Sequence, residues 1–244
     1  MNPAGAKIAK KLFSDIKKGA SKLNNIKMAV CPPYVYLGLS RPSLKMSIGA
    51  QDVSVDGPSG PYTGEISLEM LKNLGVSWII LGHSERRERG ESNALIGKKM
   101  KLALRAGFNV IFCVGERERD NAHDVSLGYI RAELEESLKG IDRKILRNLF
   151  IAYEPVWALS NNSKGVSSDP KHAFKMALYI RKILVPIVGE AFAKSVPILY
   201  GGSVNKENIA NFLCDGWLQG ALVGSKSLNA KEFISIAKVA SSMA

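Results

Sequence analysis

Apolar residues come in two rhythms along this chain. Short runs fall at 28–31, 46–50, 78–81, 110–114, 149–153, 197–200 and 221–223. Several are apolar on both faces, as buried parallel strands must be. Around them, apolar positions recur every three or four residues, which predicts helices near 4–23, 66–74, 92–106, 125–139, 170–188, 205–213 and 230–241, with a shorter one at 34–39. Strand and helix alternate with no low-complexity linker, so the pattern predicts one α/β domain over 1–244, a parallel sheet wrapped by helices. An open doubly wound sheet and a closed (β/α)8 barrel both satisfy it. The count is eight helices against seven strands, and a helix comes first, so a strand is wanting at the front.

The residues with chemistry follow strands, and in parallel α/β folds the carboxyl ends of the strands form the active face. Gly82-His83-Ser84-Glu85 follows the third run, Glu154 the fifth, Gly201-Gly202-Ser203 the sixth and Gly224-Ser225 the seventh. A histidine at such a turn can act in proton chemistry or simply bond a backbone carbonyl. Glu154 lies between Tyr153 and Pro155-Val156-Trp157, where partial desolvation raises its pKa and strengthens it as a base. A buried pairing with a lysine or arginine is the alternative. Beyond it, Ser160-Asn161-Asn162-Ser163-Lys164-Gly165 has the composition of a lid. The two glycine turns, each placed just before a predicted helix, offer backbone N–H groups of the kind that hold phosphate. His123 and His172 receive no role, and Cys113 reads as core.

Net charge is +12, from 34 Lys and Arg against 22 Asp and Glu. Seven lysines and one acid lie within residues 1–27, mostly between the helical apolar positions, which reads as a solvated helix face. No nucleic-acid motif accompanies the charge. Three cysteines, far apart, form neither a disulfide framework nor a zinc cluster, and a reducing cytoplasm suits them. The stretch from Gln51 to Gly64 has no periodicity, and loops of that length usually work or contact a partner.

Taken together, the motifs resemble the triosephosphate isomerase family. Ile80-Leu81-Gly82-His83-Ser84-Glu85-Arg86-Arg87 matches its electrophile motif, and Ala152-Tyr153-Glu154-Pro155-Val156-Trp157-Ala158 its base motif. Tyr200-Gly201-Gly202-Ser203-Val204 and Ala221-Leu222-Val223-Gly224 match its phosphate loops. Gly49-Ala50-Gln51-Asp52 and Tyr62-Thr63-Gly64-Glu65 match the loop that it inserts into a second subunit.

The resemblance implies a (β/α)8 barrel that interconverts dihydroxyacetone phosphate and D-glyceraldehyde 3-phosphate through an enediolate. It assigns Glu154 as base, His83 as electrophile and Glu85 as an orienting carboxylate. Phosphate contacts fall to Ser160, Ser203, Gly224 and Ser225. It implies no metal or organic cofactor, no nucleic-acid or membrane partner, a cytoplasmic setting, and a homodimer through the loop from Gln51 to Glu65. Three departures stand out. The family's first strand ends in Asn-x-Lys-Met-Asn, whereas this chain opens Met1-Asn2, so the strand and its lysine are expected to be missing from the barrel. The lid centre reads Ser160-Asn161-Asn162-Ser163-Lys164, and Ser225 stands where a second glycine is usual. A non-catalytic triose-phosphate binder is therefore the alternative function.

Overall fold

The computed structural model describes residues 1–57, 60–117, 124–159 and 169–243. Seven strands run β1 Ala29–Val30, β2 Ser47–Ala50, β3 Val76–Leu81, β4 Asn109–Val114, β5 Leu149–Tyr153, β6 Ile198–Tyr200 and β7 Gly220–Ala221. Every neighbouring pair is parallel, and spatial order equals chain order. The helices are α1 Ala6–Ala20, α2 Leu68–Asn73, α3 Ser84–Arg87, α4 Asn93–Arg105, α5 Asp124–Ser137, α6 Pro170–Val188, α7 Glu190–Ser195, α8 Ile209–Leu213 and α9 Ala230–Ser242.

Strand alternation sorts the apolar residues into two cores. Ile80, Ile111, Cys113 and Ala152 pack together, with Cys31, Trp78, Phe150, Leu199 and Leu222 against them, and fill the concave side of the sheet. The alternate positions, among them Ile79, Leu81, Val110, Phe112, Ile151, Tyr153 and Tyr200, join the larger core beneath the helices. Each helix contributes one stripe; α1 buries Ala9, Phe13, Ile16 and Ala20. Side-chain caps fix several helix starts: Ser67, Ser92, Asp169 and Asn229 each accept a first-turn N–H.

The sheet curls until its first and last helices meet. A Cβ on Gly19 of α1 would stand 2.5 Å from Ile234 of α9, and Ser241 bonds the Asn24 carbonyl. Helices thus join where strands do not: among the described residues β1 pairs only with β2, and β7 only with β6. The seven strands are the seven runs of the sequence pattern, with edges corrected by hydrogen bonding. Pro197 has no N–H, so β6 starts at Ile198. The last strand is 220–221 rather than 221–223, because Leu199 and Tyr200 register with Gly220 and Ala221. The helix expected over 205–213 starts only at Ile209. Asn205 Oδ1 accepts the N–H groups of Glu207 and Asn208, and Asn208 Oδ1 accepts that of Asn205, which holds the segment in a turn. The Gly201-Gly202-Ser203 turn therefore does not open directly onto a helix. Helix α7 was not anticipated.

Candidate active site

Glu154 continues the inward phase of Ala152 one step past β5 and is 2% exposed. Its N–H donates to Val114 O at 2.8 Å, tying the end of β5 to that of β4. Oε2 accepts the Ser84 N–H at 3.3 Å, and Oε1 lies 3.4 Å from His83 Nε2. Oε1 takes no hydrogen bond among the described residues. Gly201 walls one side so closely that a Cβ there would come within 2.7 Å of Glu154 Cγ. Burial pushes the carboxyl above the ordinary glutamate range, while His83, the Cys113 thiol, the Ser84 N–H and Arg87 pull the other way. Cys113 is core, as expected, and is also the floor under Glu154.

His83 is the N-cap of α3, and its Nδ1 accepts the Glu85 N–H at 3.3 Å. An acceptor Nδ1 leaves the ring proton on Nε2, the nitrogen facing Glu154. The turn before it needs glycine: Gly82 has φ +71, and a Cβ there would meet Cys113 O at 3.1 Å. Arg87 holds that turn from behind. Its guanidinium donates to Gly82 O at 2.6 Å, Cys113 O at 3.3 Å and Asn93 Oδ1, and stands 3.4 Å from Glu133. Glu133 in turn accepts the Gly115 N–H at 2.9 Å. Burial raises its pKa to about 7 against the pull of Arg87 and that N–H. On the outer side Arg86 pairs with Asp52 at 2.8 Å, and buried Lys99 joins Asp52 to Glu91.

A second carboxylate sits beside the end of β5. Glu116 is 2% exposed, and its Oε1 accepts Tyr153 OH at 2.7 Å and Trp157 Nε1 at 2.8 Å. His172 Nε2 lies 3.1 Å from the same tyrosine oxygen, and its ring meets Trp157 edge-on. This cluster fixes Tyr153 and Trp157 on either side of the Glu154-Pro155 step. Sequence reading passed over Glu116, Glu133, Arg87 and His172. Glu116 alone had a signal, since Gly115-Glu116 follows a strand as Glu154 does.

The glycine turns follow the carboxyl ends of β6 and β7, and Gly201 of the first lies against Glu154. Gly201 N–H donates to Tyr153 O at 2.8 Å, and Leu222 N–H to Tyr200 O at 2.9 Å. Ser203 is half-buried. Gly224 and Ser225 are exposed, and Ser225 opens a 3-10 turn over Ser225–Leu228. The arrangement can move a proton between carbon and Glu154 beside an Nε2–H donor, with backbone amides nearby for an anion. The Glu85 side chain is not brought in: it is exposed, and only its N–H contacts His83. Ser160, the loop 160–165 and His123 lie outside the described residues. Among the described residues no group of His, Cys, Asp and Glu could hold a metal ion, and no helix is long and apolar enough to cross a membrane.

A family model described as triosephosphate isomerase matches residues 1–240. The triosephosphate isomerase of Herpetosiphon aurantiacus is 40% identical over 242 residues, covering 96% of this chain and 92% of that one. Those of Dehalococcoides mccartyi and Lawsonia intracellularis are 37% identical over 233 residues and 42% over 209. They cover 94% and 84% of this chain, and 90% and 81% of their own.

Proposed function

The chain belongs to the triosephosphate isomerase family, and from that premise we propose how its residues interconvert dihydroxyacetone phosphate and D-glyceraldehyde 3-phosphate. Glu154 takes the carbon-bound proton next to the substrate carbonyl and returns it to the neighbouring carbon. His83 Nε2–H polarises the carbonyl and carries the oxygen-bound protons of the enediolate. The observation that carries this reading is the Glu154–His83 pair: a buried carboxylate of raised proton affinity, one oxygen free of hydrogen bonds among the described residues, 3.4 Å from an imidazole nitrogen that bears a proton. Burial that raises the proton affinity of Glu154 strengthens it as a base.

The substrate phosphate lies against Ser203 and the amides of Gly224 and Ser225. Binding energy spent on that remote group orients the carbons against Glu154. Glu85 supports the site through its backbone, because its N–H fixes the His83 tautomer. Turnover of both triose phosphates by the protein and its Glu154→Gln variant is the direct test. We expect kcat to fall on the order of 10²–10⁴-fold with little change in KM. Tight triose-phosphate binding without turnover in the parent protein would favour the non-catalytic alternative.

The active form is a homodimer through the loop from Gln51 to Glu65. Tyr62 is 40% exposed there, and the loop is anchored by Ser54 N–H on Ile66 O and by the Asp52–Arg86 ion pair. That pair ties the loop to α3, so a second copy would bear on the helix that His83 caps. Sedimentation should give twice the chain mass; a concentration-independent monomer would refute it. A cytoplasmic setting suits the three unpaired thiols, and cell fractionation checks it.

A further inference from the structure

The far side of the molecule, at the amino ends of the strands, carries charge that the isomerase reaction does not use. From Ile16 to Gln51 the chain has six Lys or Arg and no acid. The preceding acid, Asp15, is taken by Lys11 at 2.8 Å. Contacts gather this stretch into one patch. Ser43 and Met46 bond each other across a two-residue turn that presents Leu44 and Lys45 at its tip. Lys45 reaches Asn24 in the α1–β1 connection at 3.1 Å, and Ser241 near the end of α9 bonds the same asparagine. Pro42 lies against Gly75, in the turn between α2 and β3. Exposed Lys22, Lys27, Arg41, Lys45 and Lys72 thus share one rim. Of the acids in the flanking helices, Glu232 sits in the first turn of α9, far from its end at the rim, and Glu69 stands three residues before Lys72 in α2.

The same rim exposes apolar side chains. Leu44 stands fully in solvent at the turn's tip, and Leu74 and Met243 are exposed beside it. We propose that this rim docks the protein on an anionic lipid bilayer, with Leu44 entering the headgroup region and the lysines bonding lipid phosphates around it. Lysines on flexible stems around an exposed leucine suit a lipid surface. A nucleic-acid single strand would instead be met by stacking aromatics, and none of the exposed side chains named here is aromatic. In this orientation the carboxyl ends of the strands, with Glu154 and His83, face the aqueous side and stay open to substrate.

Co-sedimentation of the whole protein with vesicles tests this. Partition is expected into phosphatidylcholine vesicles containing phosphatidylserine, not into phosphatidylcholine alone, and it should collapse as salt rises. Lys22→Glu with Lys45→Glu should weaken it at least about tenfold while circular dichroism and isomerase turnover hold. Should that pair disturb folding, Leu44→Ser at the exposed tip decides, and it should weaken partition severalfold. Failure to partition into the mixed vesicles overturns the proposal. So does partition indifferent to these variants, or tight, salt-sensitive binding to a DNA oligonucleotide without vesicle binding.

Discussion

The middle of the sheet and its margins are built differently. From β3 to β5 the strands are five or six residues long, with four and five registered pairs between them. At the margins β1 and β7 are two residues each, with two registered pairs to their neighbours. Glu154 and His83 come from the middle, whereas Gly224-Ser225, which we propose meets the substrate phosphate, follows a margin. The difference follows the demands of the chemistry. Under the proposed mechanism, proton transfer loses rate steeply if donor and acceptor shift by about an ångström, and its groups hang on long, doubly paired strands and the half-buried Arg87 guanidinium. A phosphate dianion meets several amides at once and tolerates looser support.

The comparison breaks most sharply if the middle proves dispensable. Arg87→Met should cost about 1–3 kcal/mol in denaturant unfolding, because the Gly82 and Cys113 carbonyls lose a donor and Glu133 loses its cation. A loss within ordinary surface values would mean that Arg87 does not hold the His83 turn. The same pair has a pH signature. Glu133 is raised to about 7 in the folded chain, so between the ordinary glutamate value and about 7 the folded state binds more protons than the unfolded one. Stability must therefore fall as pH rises through that window and level off above it. In Glu133→Gln the fall should flatten; an unchanged pH profile would assign the titration elsewhere. The smallest effect belongs to the phosphate side. Ser203→Ala should raise KM roughly tenfold or less, the worth of a hydrogen bond or so, and leave the pH dependence of kcat unchanged. A kcat loss as large as that of Glu154→Gln would erase the distinction between the two regions.

What could be read from the residues alone divides along the same line. His83 and Glu154 were legible because a polar residue directly after an apolar run must sit at a strand's carboxyl end, and these ends converge in a parallel sheet. Their supports were not, since Arg87 meets Cys113 O across 26 residues and Tyr153 meets Glu116 across 37. No local pattern encodes such pairings. The resemblance gave Glu85 an orienting role; here its N–H bonds His83 Nδ1 and its side chain is exposed, a direction that no motif position encodes. The strands were found and their ends misjudged, because ladder bonds rather than hydrophobicity end a strand. The turn at Asn205 and Asn208 was missed because side chains that cap their own backbone compete with a helix that the apolar spacing alone would favour.

Gly115 carries a consequence that reaches beyond catalysis. A Cβ at this position would lie 1.8 Å from the carbonyl oxygen of Glu154, a collision with backbone that no rotamer can relieve. For a gene drifting under mutation, codon 115 is then a fixed point: even alanine would have to pry apart the ends of β4 and β5. Neighbouring codons can exchange one apolar residue for another of similar volume as long as the core stays filled. In a saturation library selected for function, position 115 should return glycine alone while Val114 varies.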